Sequence, residues 1–216
     1  MRLQFDEQLV ELKKELILMG SLCENAIALS TQALLEGREE LTKEVPALSK
    51  NIEAKERNVE ELCVKLLLRQ QPVARHLRAI SSALKMVTDM ERIGHQSADI
   101  ADIVSLGTIP AQEDLSTIHA MAAAAIHMVT DSIDAYVKED LDLAHSVITQ
   151  DDAVDEYFVQ IKDSLIRRLA QAATEGDSAL DILMIAKYLE RIGDHAVNIA
   201  GWVIYSLTGK LESEDV

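Results

Sequence analysis

A twelve-residue segment that occurs twice is the strongest constraint on how this chain folds. The first copy begins at residue 90 and reads MERIGHQSADIA, and the second begins 99 positions later and reads LERIGDHAVNIA. Outside these segments the two halves share few identities, so the segment itself was under pressure to stay similar. An internal duplication predicts two similar structural units, and it directs the search for a functional site to the repeated segment.

Both copies are predicted to form amphipathic helices with one oxygen-rich face. Successive helical residues are separated by about 100°, so four side chains of the first copy fall within an arc of roughly 80°. These four, the first stripe, are Glu91, His95, Asp99 and Asp102, and the second stripe consists of Glu190, Asp194 and Asn198. The opposite faces are apolar and are expected to be buried. They comprise Met86, Met90, Ile93, Ser97, Ile100 and Val104 in the first copy and Leu189, Ile192, Ala196, Ile199 and Val203 in the second.

Glycine occupies the same position of both copies, at Gly94 and Gly193. In a helix interior, glycine is less stable than alanine by ~1 kcal/mol. A face that is merely solvated has no need of glycine. The two glycines therefore predict that another group approaches each motif helix closely.

The composition indicates an all-α protein. The 216 residues include only eight Gly and three Pro, and one Trp, four Tyr and two Phe leave an aliphatic core, which suits helix-on-helix packing. The net charge of −16 makes nucleic acid an unfavourable partner. Cys23 and Cys63 lack the spacing of zinc ligands, and we expect both to be reduced core residues of a cytoplasmic protein.

Apolar periodicity and the Gly and Pro breaks predict six long helices in two tandem three-helix bundles, residues 1–108 and 109–216. The first predicted helix runs from about 9 to 36, and the second includes Val45, opens or bends near Pro46 and ends near 70. The other four run from about 74 to 104, 113 to 137, 141 to 172 and 178 to 207. The N-terminus lacks the pattern of a secretion signal, and no run reaches the ~20 apolar residues that span a bilayer. We therefore expect no direct membrane insertion.

Further carboxylates lie on the middle helix of each half. Asp151 and Asp155 share one face of the fifth predicted helix, and the corresponding place in the first half holds Glu53 and Glu56. If these groups face the stripes, like charges converge and repel one another. A bound cation relieves that repulsion, and oxygen ligands with an occasional histidine suit iron, manganese, zinc, magnesium or calcium. The alternative is that the carboxylates point to water or pair with basic residues of the motif helices, namely Arg92, Lys187 and Arg191.

Support for catalysis is weaker than support for metal binding. Di-iron centres of ferritin-like bundles use Glu-x-x-His pairs at i, i+3, whereas Glu91 and His95 are at i, i+4, and only Asp142 and His145 have a comparable spacing. The chain also lacks a phosphate-binding loop, a nucleophile elbow and a kinase signature. We therefore expect no enzymatic activity. Four further histidines are expected at helix surfaces or at the edge of the core: His76, His119, His127 and His145.

These motifs resemble the PhoU family of bacterial phosphate-uptake regulators. The resemblance spans nearly the whole chain. It is carried by the two repeated segments, the Arg69-Gln70-Gln71-Pro72 break, the Leu77-Arg78 pair and Asp131-Ser132-Ile133-Asp134-Ala135. It implies two three-helix bundles that associate as a homodimer, with Glu/Asp-x-x-x-Asp motifs that can hold multinuclear metal clusters on the bundle surface. The metal ions expected there are iron, zinc or manganese.

The metal ligands implied by the resemblance are Glu190, Asp194, Asp151 and Asp155 in the second half and Glu91, His95 and Asp99 in the first. The second copy matches the family motif fully. The first copy departs from it, because His95 stands where the family commonly has Asp and Ser49 stands opposite Asp151. The first half is therefore expected either to lack a metal site or to favour a borderline metal such as iron or zinc.

The resemblance further implies a cytoplasmic negative regulator of the phosphate-starvation response. In that role the family connects the ATPase component of a phosphate ABC transporter to a membrane-bound sensor histidine kinase. Two other classes stay open from the residues: a metal-handling bundle of the iron-storage or di-iron oxidase type, and an interaction scaffold without metal. Metal analysis and iron-dependent oxygen consumption distinguish the three.

Overall fold

The structure is a computed structural model that describes residues 2–70, 73–110, 113–171 and 176–210. Within these ranges the chain forms six long helices and no strand, which confirms the predicted fold class. The helices are α1 (Arg2–Glu36), α2 (Val45–Gln70), α3 (Ala74–Val104), α4 (Ser116–Lys138), α5 (Leu141–Gln171) and α6 (Gly176–Thr208). A short 3-10 helix, Glu39–Lys43, connects α1 to α2. None of the helices in these ranges combines the length and the apolarity needed to cross a bilayer.

The helix ends follow the breaks that the sequence contains. α3 has the predicted bounds and is followed by Gly107, whose φ of 64° is left-handed. Pro46 lies in the first turn of α2, where a missing N–H is tolerated, so the expected opening is the 3-10 helix before it. The break predicted at residues 175–177 was wrong in part, because α6 already begins at Gly176. The breaks at 71–72 and the acidic residues 212–215 lie outside the described residues.

The two halves share one continuous core. α1, α2 and α3 pack together, as do α4, α5 and α6, and the halves are joined where α1 meets α4 and where α3 meets α6. The contact of α3 with α6 is the most extensive between any two helices of the described chain. Every residue predicted to be buried on the motif helices is buried. The predicted division between residues 108 and 109 falls in the segment between α3 and α4, and its standing as a domain boundary stays a prediction.

Polar contacts also cross between the halves at one end of the bundle. The hydroxyl of Tyr136 on α4 donates a hydrogen bond of 2.8 Å to the carbonyl of Ala79 on α3. Lys13 Nζ on α1 donates one of 3.0 Å to the carbonyl of Val137. Burial raises the pKa of Tyr136, so its hydroxyl stays protonated and keeps its role as donor.

Cys23 and Cys63 are buried and free, as predicted. Burial is the first cause that raises the pKa of both thiols, that of Cys63 to about 12. Both therefore stay protonated at neutral pH and pack as small apolar groups.

Replacing Gly20 by Ala is expected to weaken the contact between α1 and α4. A Cβ added to Gly20 would lie 2.5 Å from Cδ1 of buried Ile133. Gly201→Ala is the matched control, because a Cβ there meets nothing within 4 Å and alanine favours the helix by ~1 kcal/mol. Urea unfolding should find Gly20→Ala less stable than Gly201→Ala by about 1–3 kcal/mol, the usual cost of overpacking a core. Equal stabilities would contradict the tight contact.

Candidate metal centre

The second stripe lies beside carboxylates of α5. Asp151 and Asp155 are on α5, Glu190 and Asp194 are on α6, and these two helices pack against each other. The pKa of Asp151 is raised to about 7, first by burial and then by the charges of Asp155, Asp194 and Glu190. The structure therefore brings four carboxylates into one another's electrostatic field.

Gly193 allows one of these carboxylates to lie against α6. The Oδ1 atom of Asp151 is buried and has no hydrogen-bond partner. A Cβ added to Gly193 would lie 3.0 Å from that oxygen and 3.4 Å from Cγ1 of Val154. An alanine here would therefore push α5 away or displace the carboxylate. The close approach predicted from the glycine is present.

Lys187 is a basic residue that acts on the second stripe. Its Nζ contacts both carboxylate oxygens of Glu190 and lies 5.5 Å from the ring centroid of Phe158. The pKa of Asp194 is raised by burial and by Glu190, while Lys187 opposes that rise. The alternative of pairing with a basic residue thus holds for Glu190. One ammonium group still balances only part of the charge of four carboxylates.

The first stripe places a histidine between carboxylates of two helices. Nε2 of His95 lies 3.4 Å from Oε1 of Glu91 and 3.4 Å from Oε1 of Glu53 on α2. Burial and a neighbouring carboxylate raise the pKa of Asp99, and His95 and Arg191 oppose that rise. His95 therefore lies beside Glu91 and Glu53 and acts on Asp99, whereas burial and neighbouring carboxylates both raise the pKa of Asp151.

The two copies also differ at the close approach to glycine. A Cβ added to Gly94 would lie 2.9 Å from Cδ1 of Ile52, an aliphatic side chain. Ser49, which stands opposite Asp151 in the duplication, is buried. The first half therefore has an apolar contact where the second half has a carboxylate.

The carboxylates of α5 and α6 are oxygen donors of the kind that bind cations, but their arrangement in this structure is not that of a metal site. No three His, Cys, Asp or Glu side chains of the described residues form a group ready to hold a metal ion. The partnerless Oδ1 of Asp151 and the partly compensated negative charge around it are chemically suited to a cation, because hard divalent ions prefer carboxylate oxygens. Binding would require Glu190 to leave Lys187 and the carboxylates to turn toward a common point.

Asp89 forms a buried polar cluster with α6 that the sequence analysis missed. Its Oδ1 lies 3.0 Å from Nδ1 of His195 and accepts a hydrogen bond of 3.4 Å from Nδ2 of Asn198. Asn198 therefore contacts the other half of the molecule instead of extending the second stripe. The available signal was an acidic residue on the apolar side of α3, beside Met90.

Comparison with known families matches the PhoU domain twice, over residues 16–104 and 118–203. The chain belongs to the PhoU family. The two matches correspond to the two halves of the fold and each includes one copy of the repeated segment.

Relatives and solved structures of the PhoU family agree over nearly the full chain. A phosphate-specific transport system accessory protein PhoU homolog of Clostridium acetobutylicum is 34% identical over 95% of this chain and 95% of that relative. The homolog of Synechocystis is 34% identical over 98% of this chain and 94% of its own length. The crystal structure of PhoU from Pseudomonas aeruginosa matches with a TM-score of 0.90 at 32% identity, covering 95% of this chain and 100% of that one. PhoU from Streptococcus pneumoniae matches with a TM-score of 0.88 at 25% identity, over 96% and 98%.

Asp151→Asn is expected to stabilise the metal-free protein, and more so at pH 7 than at pH 4. The pKa of Asp151 is raised from 3.8 to about 7 by folding, so the folded protein holds this proton more tightly and stability is lost as the pH rises through that window. After allowance for solvent screening of a half-buried group, the stabilisation by Asp151→Asn should be about 1–2 kcal/mol larger at pH 7 than at pH 4.

Urea unfolding in the presence of EDTA measures this effect. Asp163→Asn, an exposed residue of the same helix, is the control. The same pH dependence in both variants would contradict a special environment at Asp151.

Proposed function

We propose that this PhoU-family protein is an accessory regulator of phosphate transport that represses the phosphate-starvation response. The observation that carries this proposal is the match to relatives named as phosphate-specific transport system accessory proteins, which covers nearly the whole of both chains. A match of that extent includes both halves and both stripes.

The protein acts in the cytoplasm by docking, as a homodimer, on the ATPase component of a phosphate ABC transporter and on a sensor histidine kinase. Charge supports this part of the proposal, since a net charge of −16 favours basic surfaces. Cytoplasmic faces of membrane proteins carry an excess of Lys and Arg. An association of this kind weakens as ionic strength rises.

The second stripe and its α5 partners bind a metal ion, which is iron, zinc or manganese. Asp151, Asp155, Glu190 and Asp194 supply the oxygen ligands, and the partnerless Oδ1 of Asp151 supports this role. The ion supplies positive charge to an acidic surface, so its presence changes what that surface attracts. Glu91, His95 and Asp99 form a weaker or absent site, because their half lacks the counterpart of Asp151.

Lys187 acts as an internal counter-ion that the metal replaces. Its ammonium group neutralises Glu190 in the absence of metal. It also lies over the ring of Phe158, so a cation–π contact can hold it when it leaves Glu190. Metal binding is therefore an exchange of one cation for another. A scaffold that binds no metal is the second candidate, and the Lys187–Glu190 pair is the observation that favours it.

Replacing Glu190 and Asp194 together by Ala is expected to lower metal affinity at least about tenfold, since even groups beyond the direct ligands are worth that much. Glu91→Ala with Asp99→Ala is the matched control and should change metal content less. Lys187→Met should raise metal affinity by removing the competing cation. Elemental analysis after dialysis against iron, zinc or manganese measures all three. The metal proposal fails if the Glu190 and Asp194 variant retains wild-type metal content.

Deleting the gene should leave phosphate-starvation genes switched on at high phosphate. The Glu190→Ala and Asp194→Ala double variant should restore repression only partly, because it docks without metal, and the Glu91→Ala and Asp99→Ala variant should restore it more fully. A reporter for a phosphate-starvation promoter measures each strain. Normal repression in the deletion strain would remove the regulatory proposal, whereas full rescue by the first variant would remove only the part assigned to the second stripe.

A further inference from the structure

A cavity of about 310 Å³ lies at the end of the bundle where α1, α3, α4 and α6 meet. It is separate from the candidate metal centre. Val203, which lines it, is thirteen residues beyond Glu190, about 20 Å along α6 at 1.5 Å per residue. Cavities that bind small molecules begin at about this size.

The inner wall of the cavity is apolar. The residues that form it are Leu9, Leu12, Ala79, Tyr136, Val203 and Leu207. The Tyr136 hydroxyl and the Ala79 carbonyl of this wall already bond to each other. The wall therefore offers dispersion contacts to a hydrocarbon group and few hydrogen bonds.

The mouth of the cavity is basic, which is unusual in so acidic a protein. Lys13, Arg75 and His76 line it. One carboxylate, that of Glu139, bridges the first two: Lys13 Nζ lies 3.0 Å from Oε1, and the guanidinium of Arg75 pairs with Oε2. These contacts, with the Lys13 hydrogen bond first, lower the pKa of Glu139. A carboxylate of the protein thus occupies a place suited to an anion.

Glu139 reaches that place at a cost to its backbone. It ends α4 in the left-handed conformation, with φ 56° and ψ 42°, and it is the one non-glycine residue of the described chain with a positive φ. Glycine is the usual residue at such a helix end, because a Cβ is disfavoured there. The backbone conformation alone would favour glycine at this position. The glutamate is therefore explained by the contacts of its carboxylate across the cavity mouth.

We infer that this cavity binds a small amphiphilic carboxylate, with a hydrocarbon chain on the apolar wall and its carboxylate between Lys13 and Arg75. The carboxylate of the ligand takes the place of the Glu139 carboxylate, which turns out to solvent. Such a ligand uses both parts of the cavity at once. A simple anion would leave the apolar wall wet, and a neutral hydrocarbon would leave two cations to compete for Glu139.

Isothermal titration calorimetry of the full chain with octanoate tests this inference. Glu139→Gln keeps the shape of the side chain and removes its charge, so it should bind octanoate about tenfold more tightly than the wild type, the difference made by one competing ion pair. Glu139→Gly, which also suits the left-handed backbone, should bind as tightly as Glu139→Gln. Circular dichroism confirms that each variant is folded.

Two controls assign the binding to this cavity. Lys13→Met should weaken octanoate binding about tenfold, whereas Lys14→Met, which removes the neighbouring lysine that pairs with Glu11 at 3.6 Å, should not. Acetate and inorganic phosphate should bind at least about a hundredfold more weakly than octanoate, because each buried methylene contributes about 0.8 kcal/mol. The inference is overturned if Glu139→Gln gives no heat with octanoate, if the two lysine variants behave alike, or if acetate or phosphate binds as well as octanoate.

Discussion

The packing of α3 against α6 is the contact on which the remaining architecture depends. Each of these helices uses one apolar face for the shared core, and this fixes the direction of its other face. Because both motif helices are oriented by the same contact, their stripes must point away from the centre, the first toward α2 and the second toward α5. The placement of charge on the surface is thus a consequence of aliphatic packing.

The packing of α5 against α6 brings their carboxylates together although the negative charges repel one another. Hydrophobic burial along α5 and α6 outweighs the repulsion among four carboxylates, and Lys187 reduces that repulsion without abolishing it. Protonation of Asp151 near neutral pH is a further way in which the metal-free protein limits the charge. A lysine and a proton therefore both reduce the negative charge of this surface.

The sequence predicted most of what periodicity controls. The bounds of α3, the buried faces of both motif helices and the close approach at Gly193 all follow from spacing, glycine and proline. It did not predict contacts between residues far apart in the chain. The pairing of Asp89 with His195 depends on which face of α3 meets α6, and the left-handed Glu139 contradicts the usual preference for glycine. Metal binding by the stripes stays a prediction, since it depends on side-chain movements that no pattern of residues specifies.

The duplication is modular in sequence, but the continuous core makes it cooperative in folding. A half produced alone would expose the apolar faces with which α1 meets α4 and α3 meets α6, and a surface of that kind leads to aggregation or to pairing with another half. It would also separate Asp89 from His195, its partner across the boundary. Each half therefore needs the other to bury its apolar faces. The copies have nevertheless diverged in charge, both on the middle helices, as Ser49 and Asp151 show, and within the shared contact, where Asp89 has Tyr188 as its counterpart.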